Sequence, residues 1–175
     1  DRFNIIFENW VSPTKDYSDK EIVIEKAAEF YAKELVKNTR IRNNCHVEIR
    51  FCPKITEYGY ASIEEYNTRK KPRKFLIEIN PIIGSRRILE TLAHEMVHVK
   101  QYIEGETNDE LTRWRGKKVN PDKIDYWVQP WEIDAYGREA GLITKFAISE
   151  RLWEIFKVFG DPLSPIQHRP IAWKI

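Results

Sequence analysis

The chain has 175 residues and a mass of 20.9 kDa, 42% of it hydrophobic, and that length predicts one domain over residues 1–175 with a core needing no disulfide or metal staples. Six Trp, eight Tyr and eight Phe exclude a disordered chain, and 29 Lys+Arg against 27 Asp+Glu exclude a uniformly basic or acidic protein while leaving local patches open. No apolar run approaches the ~20 residues of a membrane span and the first residues carry no signal-peptide pattern, so no membrane association and a cytoplasmic, intracellular location are expected; the start at Asp1 rather than Met points to trimming or processing.

In chain order, the apolar run 3–7 predicts a first strand. Ser18 and Asp19 offer a helix cap, and Ile22, Ile24, Ala27, Phe30, Tyr31 and Leu35 recur at helical spacing to about Asn38. A strand is expected at 46–51, flanked by Cys45 and Cys52. Their odd spacing puts the two thiols on opposite faces, so they should not bridge; with no CxxC pair there is no zinc ribbon, and free thiols fit a reducing compartment. Further strands read at 58–63 and 75–80, the latter alternating Phe75, Ile77 and Ile79 with Leu76, Glu78 and Asn80. Pro81 and Gly84 end it, and Ser85 can cap a helix running to about Ile103. Residues 105–130 show no sustained period and read as a long loop, a lid or a disordered segment. A second long helix is expected over 131–159, followed by a tail with Pro162, Pro165 and Pro170. The predicted class is α+β: a small mixed or antiparallel sheet packed against the two long helices.

Residues 94–98 read His94-Glu95-Met96-Val97-His98, an H-E-x-x-H motif. On a helix, positions i and i+4 share a face, so both imidazoles can point at one zinc ion about 2.0–2.1 Å from each nitrogen. Glu95 lies beside that face, too displaced to ligate but able to act as general base toward water. Leu89, Leu92, Met96 and Val97 predict a buried helix. A catalytic zinc takes three protein ligands, and the third can be Asp/Glu, His or Cys. Cys45, Cys52 and His46 belong to an early strand and His168 to an irregular tail. The better source is the acidic stretch 130–141, PWEIDAYGREAG.

On the segments HEMVHVKQ (94–101) and PWEIDAYGRE (130–139), the chain resembles the zincin metallopeptidases. The likeness is to the gluzincin-like group, in which H-E-x-x-H is followed by a Glu ligand on a later helix. In layout it is similar to small intracellular and phage-encoded zinc peptidases, SprT-like proteins among them, over about residues 75–141. The resemblance implies a zincin-like fold, a phage-encoded source among the possibilities, and Glu132 as third ligand. A solvated first-turn Glu favoured by the helix dipole is the alternative for Glu132. The group often carries an Asp four residues after the ligand Glu, where this chain has Tyr136. Asp134, Glu90 or Glu139 would then have to support a ligand histidine. SprT-like proteins proper usually use a third His and add a Cys-rich module, neither of which is evident.

The expected activity is zinc-dependent peptide-bond hydrolysis with Glu95 as base, acting on a protein or peptide substrate. Tyr136, Tyr126 and His168 are candidates for stabilising the oxyanion, Tyr136 foremost. In zincins the strand before the motif helix is commonly an edge that pairs with extended substrate, which implies substrate contacts at Phe75, Ile77 and Ile79. Gly137 and Gly141, with Ala140, give the second helix a small-residue face, either for close approach to the motif helix or merely as a tolerated weak first turn. Two basic runs remain: Arg69, Lys70, Lys71, Arg73 and Lys74, and Arg113, Arg115, Lys117 and Lys118 around Trp114. They suggest nucleic-acid-associated substrates or merely solvated loops. The rival from another class is a zinc-binding interaction module without hydrolysis, against which the intact Glu95 argues. A deformylase would need an upstream Cys motif, which is absent.

Overall fold

The computed structural model describes residues 4–8, 17–64 and 71–150. Strand β1 (Asn4–Glu8) leads into helix α1 (Tyr17–Leu35), a short α2 (Thr39–Asn43), and strands β2 (His46–Phe51), β3 (Gly59–Ile63) and β4 (Lys74–Ile79). Helix α3 (Ser85–Glu104) follows. Next come a hairpin of β5 (Arg113–Trp114) and β6 (Lys117–Lys118), 3-10 turns at Pro121–Lys123 and Tyr126–Val128, and helix α4 (Pro130–Ser149). The architecture is α+β with a small mixed sheet of order β1-β2-β4-β3. β1, β2 and β4 are parallel, and β3 runs antiparallel to β4.

Alternation sets the packing of the central strands. Val47, Ile49 and Phe51 of β2 are buried while His46, Glu48 and Arg50 are half-buried. Those β2 side chains share one core with Phe75, Ile77 and Ile79 of β4, Ala27, Ala28, Tyr31 and Ala32 of α1, and the apolar residues of α3 and α4. The alanines of α1 let it approach α3 closely, and the Tyr31 hydroxyl donates to the Leu89 carbonyl at 3.2 Å. Phe146 of α4 packs on Phe30 and Tyr31, closing α4 onto α1. Helix α3 is buried along most of its length and ends at Gly105, whose φ of 70° is the left-handed C-cap conformation that glycine adopts without steric cost.

Several boundaries differ from the sequence expectation. α1 begins at Tyr17, so Ser18 and Asp19 lie in its first turn, and it stops at Leu35. Asn38, read as the helix end, instead caps α2, its side chain accepting from the Ile41 amide at 3.1 Å. Ser85 is the first residue of α3 and Gly84 occupies the cap without a side-chain bond. The stretch 105–130 holds a hairpin and two 3-10 turns rather than one long loop. Arg115 and Gly116, both at positive φ (46° and 82°), form the two-residue turn that a right-twisted hairpin needs. The second helix starts at Pro130 and is described to Ser149; the expected extension to 159 and the proline-rich tail lie outside the described residues.

The largest correction concerns β4. It is not an edge: β2 pairs along one side and β3 along the other, and Phe75, Ile77 and Ile79 are fully buried in the core. They cannot meet substrate. Among the described residues, the edge beside α3 is β3. Gly59 lets it pack there, since a Cβ at that position would stand 2.7 Å from Thr91 Cγ2 and 2.8 Å from the Glu78 carbonyl oxygen. At Gly137 and Gly141 the structure decides against close approach and leaves the tolerated weak start of the helix. A Cβ at either would meet nothing within 4 Å, so they do not mediate close approach to α3, and Leu142, Ile143, Phe146 and Ala147 make α4's buried face instead. Cys45 and Cys52 are both free thiols, and no described helix is long and apolar enough to cross a membrane.

Candidate metal centre

His94 and His98 stand one turn apart on α3, and the first turn of α4 brings Glu132 against them. Pro130 at the first helical position, and the Gln129 carbonyl accepting from the amides of Glu132 and Ile133, fix that turn. Glu132 is 7% exposed, which removes the alternative of a solvated first-turn carboxylate. His94 Nε2 lies 3.1 Å from Glu132 Oε2 and 3.1 Å from His98 Nε2, and His98 Nε2 lies 3.4 Å from Glu132 Oε1. Ligands about 2.0–2.1 Å from a tetrahedral metal sit about 3.3–3.4 Å from one another. The three residues are therefore close enough to bind one metal ion.

The outer partners decide what these atoms can do. His94 Nδ1 faces Glu139 Oε2 at 2.8 Å, an acceptor, so Nδ1 carries the proton and Nε2 presents a lone pair. Gln101 donates through Nε2 to the Trp131 carbonyl (3.0 Å) and to Asp134 Oδ2 (3.1 Å), which leaves its Oε1 to accept from His98 Nδ1 at 2.9 Å. His98 Nε2 is then a lone pair as well. In that tautomer two imidazole nitrogens and a carboxylate converge within 3.1–3.4 Å, an arrangement that is favourable only with a proton or a metal ion shared among them.

The titration of these groups expresses the same demand. For His94, burial disfavours the imidazolium, yet hydrogen bonds to Glu132 and Glu139 outweigh it and lift the pKa to about 9. For His98, burial is likewise overcome, by its bond to Glu132. Glu132 is pulled down to about 2, because bonds from His94 and His98 outweigh the burial that would raise it. Without a metal, a proton supplies the missing cation.

Glu95 is 5% exposed, and burial raises its pKa; its carboxyl accepts from the Ala61 amide on β3. That amide points away from β4. Asn80 N to Tyr58 O and Glu64 N to Lys74 O fix the hydrogen-bonded pairs of the ladder, so the main-chain groups of Gly59, Ala61 and Ile63 face outward. Tyr126 donates to Glu132 Oε2 at 2.9 Å, and the Tyr136 hydroxyl lies 3.4 Å from that of Tyr126. The Tyr136 ring stands edge-on to His94 with centroids 4.5 Å apart.

Of the residues expected from sequence, His94, Glu95, His98, Glu132, Tyr126 and Tyr136 thus come together. Glu139 and Asp134 provide the outer support expected of them. Glu90 does not, being held by Arg86 at 2.6 Å and Arg87 at 3.1 Å. Gln101 and the edge strand β3 were missed. Gln101 was legible in principle, three residues beyond His98 and so on the same helix face. Among the described residues, Cys45, Cys52 and His46 do not join the metal-capable group, and His168, Arg69 and Lys70 lie outside the description. In the basic runs, Lys71 Nζ donates to the Glu104 carbonyl and Arg73 to those of Pro72 and Ile103, so both serve the C-terminal end of α3. Arg115 pairs with Glu106 and lies over Trp114, which itself packs on Trp131. No family model, curated protein or solved structure matches the chain.

Proposed function

We propose that the chain is a zinc-dependent peptidase of zincin-like fold and gluzincin-like ligand set, with His94, His98 and Glu132 holding the metal. The observation that carries this reading is the convergence of three metal-capable donor atoms at tetrahedral spacing beside the buried Glu95 carboxyl. Two imidazoles and one carboxylate suit zinc, and a three-residue set that leaves a fourth position open is typical of catalytic sites. Bound zinc supplies a Lewis acid that activates water and polarises a carbonyl.

The remaining chemistry belongs to the chain. Glu95 takes the proton of the attacking water and returns it to the leaving amine, and its burial favours holding that proton in between. Tyr126 orients Glu132 through its donated bond. We assign the developing oxyanion to Tyr136: the Tyr126 hydroxyl gives its proton to Glu132 at 2.9 Å, and the 3.4 Å contact between the two hydroxyls holds the Tyr136 proton only weakly. Extended substrate pairs along β3, whose outward main-chain groups run past Glu95 at Ala61.

Glu95→Gln tests this reading. The variant is expected to keep stoichiometric zinc and to lose about 10²–10⁴-fold in cleavage of an unfolded protein substrate, the contribution of a general base. Unchanged cleavage, or wild-type protein that takes up no zinc, refutes it. An SprT-like preference for nucleic-acid-associated substrates has narrower support. Of the two basic runs, Lys74, Arg113, Lys117 and Lys118 are exposed cations whose charge is not drawn into the contacts described above.

A further inference from the structure

Resting on the peptidase reading above, we infer that Trp127, with Tyr126 and Tyr136, forms a recognition platform for one bulky apolar side chain of the substrate, aromatic or long aliphatic, close to the scissile bond. Trp127 is 68% exposed, and Tyr126 and Tyr136, whose rings contact it, are exposed as well. The same chain buries Trp131 completely, only four residues away. A contiguous exposed patch of large apolar groups marks a binding surface rather than ordinary scatter.

The patch is built and not loose. Its rings touch in series: Tyr126 to Trp127 at 5.3 Å, Trp127 to Tyr136 at 5.4 Å, and Tyr136 to the ligand His94 at 4.5 Å between centroids. The Trp127 amide is capped by Asp125 Oδ1 at 3.1 Å. Gln129 ties the preceding backbone down at the Pro121 and Ile124 carbonyls and accepts from Trp131 Nε1. Because these bonds already fix the surface, binding bears little of the ordering cost of a flexible loop.

Position selects the occupant. From Trp127 through Tyr136 to His94 the steps are 5.4 and 4.5 Å, a span that about three residues of extended chain cover. A side chain resting on Trp127 therefore belongs to a residue within about three positions of the bond being cut. The ring faces offer dispersion and edge-to-face contacts, which favour Phe, Tyr, Trp, Leu and Met over small or charged side chains. Such residues are buried in folded proteins, so the preferred substrates are unfolded or exposed segments.

The test uses zinc-loaded Glu95→Gln protein and fluorescently labelled peptide pairs that differ by Phe or Ala at one position. Binding is read by anisotropy, independently of hydrolysis. The Phe peptide should bind about tenfold more tightly, the factor expected when roughly half of a Phe side chain is buried. Trp127→Ala in the same background should remove the difference while leaving zinc content unchanged. Equal binding of the two peptides, or a preference that survives Trp127→Ala, overturns the platform whether or not wild-type protein cleaves peptides. A preference that Trp127→Ala removes, in a wild-type protein that cleaves nothing, keeps the platform and refutes the peptidase reading. Sedimentation of the unliganded protein closes the remaining route: a dimer abolished by Trp127→Ala would make the patch a contact between two copies and overturn the inference.

Discussion

Glu139 is the residue whose removal should weaken the metal centre without touching a ligand. Its Oε2 accepts from His94 Nδ1 at 2.8 Å, and its side chain is 22% exposed, so the bond is charge-assisted and only partly screened. Holding the proton on Nδ1 keeps the Nε2 lone pair aimed at the metal. Loss of such an outer partner typically costs 10–100-fold in metal affinity, or about 1.4–2.7 kcal/mol. Glu139→Gln retains an acceptor in place and loses the charge, so about tenfold is expected. Glu139→Ala also frees the imidazole to rotate and change tautomer, and about 100-fold is expected. Glu90→Gln is the control, because Glu90 carries a similar charge one helical turn away but is held by Arg86 and Arg87. Competition against a chelator of known affinity at fixed pH gives the three constants, and unfolding of each metal-free variant separates loss of affinity from loss of fold. If the alanine variant binds within twofold of wild type, or the Glu139 and Glu90 variants behave alike, the assignment of Glu139 is wrong.

Metal affinity should fall as pH falls. The His94 pKa near 9 means that below this value uptake must displace a proton, so the apparent affinity drops about tenfold per pH unit per proton released. The sign reverses for metal-free stability. A His pKa raised from 6.5 to about 9 stabilises the fold fully below 6.5, and that contribution is lost as pH rises toward 9. The Glu132 pKa, lowered from 4.5 to about 2, stabilises above 4.5 and fails as pH drops toward 2. Calorimetry of chelated protein should therefore place its stability maximum between these windows; a maximum at alkaline pH contradicts the arrangement. Chelation should leave the secondary structure intact by circular dichroism, because the apolar core is independent of the site. Free metal at about 1,000 times its Kd should add about 4 kcal/mol, or roughly 8–16 °C in Tm. Collapse of the fold on chelation would make the metal structural. Gly59→Ala forces a Cβ against Thr91 Cγ2 and the Glu78 carbonyl, and should destabilise by about 1–3 kcal/mol in denaturant unfolding. Combining it with Thr91→Ser should recover only part, because the carbonyl contact remains.

The helix that carries His94 and His98 was readable because i, i+4 spacing is a local property: the two histidines must share a face wherever that helix packs. β2 was equally legible, its alternation leaving one register for the core. Strand order is not local. Nothing in the succession β2, β3, β4 states that β4 inserts between its two predecessors. A warning lay in Phe75-Leu76-Ile77, three successive buried residues, the continuous apolar run of a strand covered on both sides rather than of an edge. The glycines of α4 misled for a related reason. A small-residue pair has the same spacing whether it faces a neighbouring helix or open space, and here it faces open space. Asn38 and the Arg115-Gly116 pair carried correct local information, a cap and a tight turn, but too few residues around them repeat for a period to emerge.

The basic hairpin is better understood from the site outward than as a surface in its own right. Asp134 receives Gln101 most strongly as a carboxylate. Burial acts against that, but bonds from Gln101 and Arg138 outweigh it and lower the Asp134 pKa. Arg115 adds a longer contact to Asp134 at 3.8 Å, and is itself fixed by Glu106, which Lys100 holds from α3 at 2.8 Å. The chain of contacts runs Lys100, Glu106, Arg115, Asp134, Gln101, His98. Each link sets the direction of the next, and the last sets which nitrogen of His98 is free for the metal. The positive φ of Arg115 belongs to the same arrangement, since the tight turn that requires it also carries the guanidinium between Glu106 and Asp134. The second basic run therefore does not act as one uniform patch. Arg115 belongs to the electrostatics around the His94, His98 and Glu132 group, and Arg113, Lys117 and Lys118 are exposed on the hairpin it anchors.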